Sequence, residues 1–183
     1  MSVTVAGTTK LTYDEYLHFP DDGRRHEIID GEHYVSPAPS TDHQNVSRHI
    51  QYALYRQLEE RGRAQVFNAP VDVELSPTDV VQPDLAVVLT EHSDRILRSR
   101  LRGAPDLVVE IASPSTAERD RTLKLALYAR HRVPEYWIVD SEKRCVAQYR
   151  LQSDGGYDEP DLHEESIAFA DAVVDLTDVW RRL

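Results

Sequence analysis

The chain has 183 residues, which is enough for one domain and too few for two of ordinary size. With 40% hydrophobic and 29% charged residues, it has the composition of a globular protein, which excludes disorder as its dominant state. The net charge of −11 argues against a protein that coats nucleic acid by charge alone, because such binding needs many Lys and Arg contacts to phosphates.

The cysteine count and the N-terminal segment bear on the compartment. The single cysteine, Cys145, excludes an internal disulfide and a cysteine-rich zinc site, and it fits a reducing cytoplasm. Residues 1–10 contain no apolar run typical of a signal peptide, and no apolar stretch reaches the roughly 20 residues needed to cross a bilayer. We therefore expect a cytoplasmic protein without a membrane partner.

The first third of the chain predicts a short helix, a hairpin and a long helix. Thr12 and Glu15 have capping-box spacing, so a helix is predicted over Thr12–Phe19. The dipeptide Asp30-Gly31 between two apolar runs predicts a hairpin turn. A second helix is predicted to about Arg61, capped by Ser40, Thr41 or Asp42. Its apolar positions recur every four residues, at Val46, Ile50, Leu54 and Leu58.

The rest of the chain alternates strands with helical segments. Strands are predicted over Gln65–Leu75, Leu85–Leu89, Leu107–Ala112, Glu135–Val139 and Cys145–Leu151. A loop with a helical turn is predicted over Glu91–Leu101, and a helix over Thr116–His131, with a capping box at Ser115 and Glu118. Its inward-facing residues are expected to be Leu123, Ala126 and Leu127. A strand and a short helix are expected within the tail from Ile167 to Leu183.

This order predicts an α/β fold in which helices flank a mixed central sheet. We expect one domain over residues 1–183, with a core at about 12–150 and a C-terminal extension at 151–183. Three aromatic residues beside apolar positions are predicted to belong to the core rather than to stack on bases: Tyr128, Tyr136 and Trp137.

Two apolar strands each carry an acid where packing alone would not place one. Asp84 begins the run LAVVL, and Glu110 lies inside LVVEIA. A buried acid costs several kcal/mol unless a partner or a metal compensates it. Two facing acids would repel, and a divalent cation turns that repulsion into binding. Repulsion also predicts that Asp84→Asn raises the melting temperature without metal. Alternatively, each acid is solvated at its strand's end or pairs with an arginine such as Arg119 or Arg121.

Four segments carry a resemblance to a known family. They are HEIIDGEHYVSPAPSTDHQ, VVQPDLAVVL, APDLVVEIASPST and KLALYARHRVPEYWIVD. In this order they resemble the Uma-two family of restriction endonucleases, which belongs to the PD-(D/E)XK nuclease superfamily, over about Thr12 to Tyr149. The resemblance implies a three-layer, restriction-endonuclease-like core and Mg²⁺-dependent hydrolysis of DNA phosphodiester bonds, with Mn²⁺ as a substitute for Mg²⁺.

The resemblance also implies which residues form the site. Asp84 stands where the superfamily has its first acid and Glu110 where it has the second, and both would hold metal together with the backbone carbonyl of Ile111. The superfamily lysine usually stands two residues after the second acid, where this chain has Ala112. Lys124 in the following helix is the candidate replacement, because a long side chain can deliver its ammonium from another backbone position.

Four further residues match the family's pattern, each with an alternative reading. Either Glu27 or Glu32, both on the hairpin, is predicted to complete the metal shell. Alternatively, both are exposed hairpin carboxylates. His43 and Gln44, at the start of the second helix, are predicted to contact a phosphate of the DNA. For His43 the favoured alternative is a helix cap with no role in chemistry.

The leading interpretation is a metal-dependent DNA endonuclease that acts as a homodimer, because duplex cleavage usually needs two active sites. The alternative is a catalytically silent nuclease-like fold that serves as a binding or assembly module, which the net charge favours. A glycoside hydrolase with Asp84 and Glu110 as its acid/base pair ranks last, since the sequence has no sugar-binding aromatic cluster. The histidine spacings do not support zinc hydrolase chemistry.

Overall fold

The structure is a computed structural model that describes residues 10–113, 116–181 and 183. The helices are α1 (Tyr13–Tyr16), α2 (Thr41–Leu54), α3 (Ala117–Arg119), α4 (Leu125–Arg130) and α5 (Leu176–Trp180). A π-helical turn at Tyr55–Glu59 continues α2, another at Asp120–Lys124 joins α3 to α4, and Thr90–Arg95 forms 3₁₀ turns. The strands are β1 (Arg25–Ile29), β2 (Glu32–Ser36), β3 (Ala64–Asn68), β4 (Val73–Ser76), β5 (Asp79–Val81), β6 (Leu85–Leu89), β7 (Leu101–Arg102), β8 (Leu107–Ile111), β9 (Glu135–Asp140), β10 (Cys145–Arg150), β11 (Asp161–His163), β12 (Ser166–Phe169) and β13 (Ala172–Asp175).

The central sheet has six strands in the order β11-β10-β9-β8-β6-β3. Strands β8 and β9 are parallel, whereas the other pairs in this sheet are antiparallel. A second sheet has the order β2-β1-β5-β4-β7, and β12 pairs with β13 in a separate hairpin. The predicted mixed central sheet is confirmed.

Alternate residues of the central strands face opposite sides, because side chains along a strand alternate with period two. Leu85 and Val87 join the core cluster under α2, whereas Ala86 and Val88 join the cluster that contains Leu127 of α4. The sheet therefore lies between two helical layers, which confirms the predicted α/β class and explains why LAVVL is apolar throughout.

The predictions for the first helix and hairpin are confirmed. Thr12 and Glu15 form the capping box, although the helix ends earlier than predicted, at Tyr16. Strand β1 pairs with β2 through a turn in which Asp30 and Gly31 have φ values of 54° and 80°. Ser40 is the N-cap of α2, since its side chain accepts a hydrogen bond from the His43 N–H.

The single strand predicted over Gln65–Leu75 is wrong. This segment forms β3 in the central sheet and β4 in the second sheet, with Pro70 between them. Proline lacks the N–H that a strand interior donates, so the chain leaves one sheet here and enters the other. The short strand β5, which pairs with β1 and β4, lies in a segment for which the sequence predicts no strand.

The helix predicted over Thr116–His131 exists as three consecutive helical segments from Ala117 to Arg130. Its predicted cap at Ser115 lies outside the described residues. Leu127 is buried and Leu123 is partly buried, but the inward orientation predicted for Ala126 is wrong, since Ala126 is exposed. The π-helical turn adds a residue to one turn, so the face expected of a regular helix does not continue through it.

The C-terminal segment packs against α2. The buried side chains of this segment belong to the same cluster as those of α2: Ile167, Phe169, Ala172, Val174, Leu176, Val179 and Trp180. Two strands and a helix replace the predicted strand and helix. Within the described part of the chain, none of the helices is long and apolar enough to span a membrane.

Candidate active site

The two strand acids lie beside each other on adjacent strands. The antiparallel register pairs Leu85 with Val109, which places Asp84 next to Glu110 at the end of the β6–β8 ladder. Asp84, Glu110 and Lys124 line one cavity of about 210 Å³, which we call the active-site cavity. The structure thus brings the three residues together, and each is buried to 3% exposure.

Lys124 lies between two of the acids. Its Nζ donates to Glu27 Oε1 and to Glu110 Oε1, both at 2.8 Å, and Tyr128 Oη donates to the same Glu110 oxygen at 2.8 Å. Burial opposes the charge of Lys124, but the carboxylates outweigh it and raise the pKa of the ammonium. Burial raises the pKa of Glu110, and the Lys124 charge only partly offsets this shift.

Asp84 is held by basic groups from two distant elements. Its Oδ1 lies 2.6 Å from Arg25 Nη1, and its Oδ2 lies 2.9 Å from His43 Nε2. The Ile111 N–H donates to Oδ2 at 2.7 Å, so the Ile111 backbone reaches the site through this donor. Burial alone would raise the pKa of Asp84, but His43 and Arg25 outweigh it and hold the pKa below its ordinary value.

Neither arginine named as an alternative partner pairs with Asp84 or Glu110. Arg119 Nη2 lies 3.8 Å from Glu27 Oε2, and Arg121 Nη2 lies 2.8 Å from Asp140 Oδ2. The arginine that pairs with Asp84 is Arg25, which precedes the HEIID segment of the hairpin and has no distinguishing sequence pattern of its own.

The two hairpin acids are in different environments. Glu27 is 1% exposed, lines the active-site cavity and accepts a hydrogen bond from the Gln82 N–H at 3.0 Å. Glu32 is exposed, accepts from Tyr34 Oη and does not line the cavity. The reading of both as exposed carboxylates is therefore wrong for Glu27 and confirmed for Glu32.

The two candidate residues at the start of α2 line different cavities. His43 lines the active-site cavity and contacts Asp84, so its interpretation as a helix cap is wrong; Ser40 is the cap. Gln44 is exposed and lines a neighbouring cavity instead. A helix turns by about 100° per residue, which explains why neighbouring residues face different cavities.

Sequence reasoning did not place three further residues in or beside the cavity. Arg119 lines it, as does Asp120, which is 2% exposed and whose pKa burial raises. Tyr128 is buried in the core as predicted, yet its hydroxyl also reaches Glu110. One signal in the sequence points to Asp120. It lies four residues before Lys124, and in the predicted helix this spacing places both side chains on one face.

Unpartnered polar atoms concentrate in this cavity. Among the described residues, the buried side-chain polar atoms without a hydrogen-bond partner are Glu27 Oε2, His43 Nδ1, Asp84 Oδ1 and Arg119 Nε, and all four residues line the active-site cavity. The Arg25–Asp84 contact is close enough for an ion pair but lacks hydrogen-bond alignment. Buried polar atoms are normally paired, so their concentration here indicates a site that a ligand completes.

The donor chemistry of the cavity suits a hard cation. Two of the four unpartnered atoms are carboxylate oxygens, the ligand type that Mg²⁺ prefers, and Mg²⁺ usually binds one or two carboxylates plus substrate phosphate and water. In the ranges that the structure covers, no three or more His, Cys, Asp or Glu side chains form a ready metal-binding group. The residues therefore fit an ion that the substrate helps to hold, rather than an all-protein cage.

Comparisons with known proteins agree with this fold. The model of the Uma2 family, described as "Putative restriction endonuclease", matches residues 13–177. An uncharacterized protein of Synechocystis sp., slr1290, is 28% identical over 151 residues, which cover 81% of this chain and 78% of the relative. The crystal structure of a "putative nuclease belonging to DUF820" from Anabaena variabilis superposes with a TM-score of 0.77 at 19% identity, over 93% of this chain and 98% of that one. This likeness shows that the two chains share a fold.

Proposed function

The chain belongs to the Uma2 family, and from this we propose that it is a metal-dependent endonuclease that hydrolyses phosphodiester bonds in DNA. The observation that carries the proposal is the concentration of unpartnered polar atoms in the active-site cavity. Two carboxylate oxygens, an imidazole nitrogen and a guanidinium nitrogen there suit a cation and a phosphate together.

Asp84, Glu110 and Glu27 are the residues that would hold Mg²⁺, or Mn²⁺ in its place. When bound, the ion would neutralise the negative charge that develops on the phosphate and would lower the pKa of its bound water. Glu27 offers Oε2, which has no hydrogen bond, and Asp84 offers Oδ1, which has no hydrogen bond but forms an ion pair with Arg25. Glu110 offers its side chain from the adjacent strand, after exchange of its contacts with Lys124 and Tyr128.

Lys124 acts as a donor and not as a base. Its Nζ donates to Glu27 Oε1 and Glu110 Oε1, so the ammonium lies where it can donate to water or to a phosphate oxygen instead. Arg119 lies on the same cavity wall with its Nε unpartnered, and a guanidinium suits the geometry of phosphate oxygens. These two cations would fix the phosphate against the carboxylates.

Plasmid nicking with Mg²⁺ or Mn²⁺, run beside calorimetric metal titration, tests the proposal. Asp84→Asn should lose metal binding and cleavage together, by about two orders of magnitude or more in rate. Glu27→Gln changes a hairpin acid that lines the cavity, and its matched control Glu32→Gln changes one that does not. Only Glu27→Gln should therefore impair cleavage. Equal cleavage by both variants would contradict the place of Glu27 in the site.

One observation favours the silent binding module. Lys124 already pairs with Glu27 and Glu110, and Arg25 and His43 already contact Asp84. A module of this kind would give neither metal-binding heat nor nicking. Cleavage of both strands usually needs two active sites, so we expect the proposed enzyme to act as a homodimer, which sedimentation of the protein on duplex DNA would detect.

A further inference from the structure

We propose that a second cavity beside the active site receives an unpaired base of the DNA strand whose phosphate lies in the active-site cavity. This inference rests on the proposed function and names its substrate class, a strand with an unpaired nucleotide. The second cavity, here called the side cavity, has a volume of about 450 Å³. Among its lining residues are Tyr16, Phe19, Arg24, Arg25, Gln44 and Gln82.

The two cavities are adjacent. Arg25 and Pro39 line both of them. The Arg25 Nη1 lies 2.6 Å from Asp84 Oδ1 in the active-site cavity, and the same atom donates to the carbonyl of Gln82, a residue of the side cavity, at 3.3 Å. His43 and Gln44, consecutive on α2, line one cavity each. A single strand with its phosphate beside Asp84 would therefore present its next nucleotide to the side cavity.

The lining of the side cavity suits a nucleobase. It contains the partly exposed ring of Phe19, which packs edge to face on the buried ring of Tyr16 with centroids 5.5 Å apart, together with the apolar side chain of Pro20. Bases stack on aromatic rings in single-strand-binding proteins with little regard to sequence. The volume lies within the roughly 300–1,000 Å³ of pockets that bury small organic ligands.

The charge of the lining suits a nucleic acid strand. Arg24, Arg25 and one acid, Asp21, line the side cavity; Arg25 is paired with Asp84 at 2.6 Å, and Arg24 Nε lies 3.8 Å from Asp22 Oδ2. The Arg24 side chain is 64% exposed, so it is accessible to a phosphate from solvent. Because this guanidinium is exposed and its contact with Asp22 is long, it can turn to a phosphate of the strand.

Gln44 supplies a group that reads a base edge. Its side chain is exposed at the cavity, and a carboxamide offers both donors and an acceptor to a base. A base stacked inside a duplex cannot enter such a cavity without leaving the stack, which costs a few kcal/mol. A single strand, a flap or an extruded base avoids most of that cost, so we expect a preference for unpaired nucleotides.

Fluorescence anisotropy on the full chain in EDTA tests this proposal without cleavage. The probes are a labelled strand of about 12 thymidines, an abasic strand of the same length with the same phosphates, and a duplex of that length. The wild type should bind the thymidine strand at least about fivefold more tightly than the abasic strand, because base stacking contributes roughly 1–3 kcal/mol per base. The duplex should also bind more weakly than the thymidine strand.

Two variants connect that preference to the side cavity. Phe19→Leu keeps an apolar side chain but removes the ring, and Gln44→Ala changes an exposed side chain, so both should fold and lose most of the base preference. Gln65→Ala, an exposed glutamine on β3 outside both cavities, is the control and should keep the preference.

The outcomes separate this proposal from the proposed function. Base preference that is lost in both variants, together with absent plasmid nicking, would retain the side cavity as a base-binding site and contradict the nuclease. Successful nicking with equal binding of thymidine and abasic strands, or with both variants binding as the wild type does, would overturn the side-cavity proposal and leave the nuclease standing.

Discussion

Lys124 pairs with two buried acids, so a change at this residue affects the stability of the fold as well as its proposed role in cleavage. Its Nζ lies 2.8 Å from both Glu27 Oε1 and Glu110 Oε1, and its side chain is 4% exposed. Removing one partner of a buried ion pair leaves an uncompensated charge, which costs more than the pair contributes. A loss of cleavage in a Lys124 variant is informative only when the variant's fold is shown to persist.

We expect Lys124→Met to lower the free energy of unfolding by about 3–5 kcal/mol, because Glu27 and Glu110 would be left buried without their cation. In a Glu27→Gln background one of those acids is already neutral, so the same change should cost less. Urea denaturation of the four proteins measures this coupling. Lys143→Met, at a lysine whose side chain is 74% exposed, should stay within about 0.5 kcal/mol of the wild type. Equal costs in both backgrounds would contradict the Lys124–Glu27 pair.

Asp84→Asn should destabilise the metal-free protein, the reverse of what repulsion between the two strand acids predicts. Asp84 faces Arg25 and His43 as well as Glu110, and these basic groups outweigh the repulsion, since its pKa lies below the ordinary value. Hydrogen bonds to a charged group contribute roughly 1.5–3 kcal/mol. Thermal unfolding in EDTA, with Glu32→Gln as control, checks the direction; a raised melting temperature would restore the repulsion argument.

The acids of the site were visible in the sequence, but their partners were not. Asp84 and Glu110 interrupt apolar strands, and an interruption of that kind stands out in a linear pattern. Arg25 and His43 belong to an edge hairpin and a helix start, where polar residues are ordinary, and only the tertiary fold places them against Asp84. Asp106, another buried acid beside β8, pairs with His92 outside the active-site cavity, so burial alone does not distinguish a functional acid.

At the scale of elements, Asp79 of β5 connects three parts of the fold. Its Oδ2 lies 2.9 Å from His131 Nε2 at the end of α4, and its Oδ1 lies 3.1 Å from Arg130 Nη2. Oδ1 also accepts the Asp30 N–H in the hairpin turn, and Oδ2 accepts from Ser76 Oγ in β4. Burial alone would raise the pKa of Asp79, but the hydrogen bond from His131 and two further donors hold it well below its ordinary value.

A depressed folded-state pKa means that ionised Asp79 stabilises the fold above about pH 4, the ordinary pKa of an aspartate. That contribution is lost as the pH falls through the depressed folded-state pKa. Asp79→Asn should therefore destabilise the protein at neutral pH by roughly 1.5–3 kcal/mol, and the difference from wild type should shrink towards about pH 3. Urea denaturation at both pH values measures it.

Asp30→Asn is the matched control for Asp79→Asn. Asp30 has a φ of 54°, which asparagine also tolerates, and its ion pair with Lys10 joins two exposed side chains. We expect this variant to stay within about 0.5 kcal/mol of the wild type at both pH values. A difference for Asp79→Asn that stays constant with pH would show that its carboxylate charge does not contribute.

Regular elements were easier to predict than interrupted ones. The four-residue apolar repeat of α2 and the turn at Asp30-Gly31 depend on local spacing and local backbone preference, which the sequence displays directly. The switch of sheets at Pro70 and the π-helical turn at Asp120–Lys124 depend on tertiary contacts. The hydroxyl of Tyr136, for example, donates to the Asp120 carbonyl within that turn.

At the scale of the molecule, the C-terminal segment completes the core beside α2. Leu176 is fully buried, and Gln57 donates through its Nε2 to the Val173 carbonyl of the C-terminal hairpin. The weak apolar pattern of this segment gave little sign of that role, because only alternate strand residues face the core.

Leu176→Ala should therefore lower the free energy of unfolding by about 2–5 kcal/mol, as for other large-to-small core changes. Leu162→Ala, at an exposed leucine of β11, is the control and should change it by less than about 0.5 kcal/mol. Chemical denaturation of both variants tests this, and equal small effects would mean that the C-terminal segment is dispensable for stability.

The overall charge of −11 makes the ionic-strength dependence of binding a test of how locally this molecule contacts DNA. If contact is confined to the two cavities, few phosphates are neutralised and the affinity for a single strand falls slowly with salt, at about 0.7 logarithmic units per contact for each tenfold rise in salt concentration.

Arg24, whose side chain is 64% exposed beside the side cavity, should account for one such contact. Arg24→Gln should reduce the slope by about 0.7, whereas Arg181→Gln, at a 74% exposed arginine outside both cavities, should leave it unchanged. Anisotropy titrations of a single strand in EDTA over a series of salt concentrations give the slopes. Equal slopes for Arg24→Gln and wild type would place the strand elsewhere on the surface.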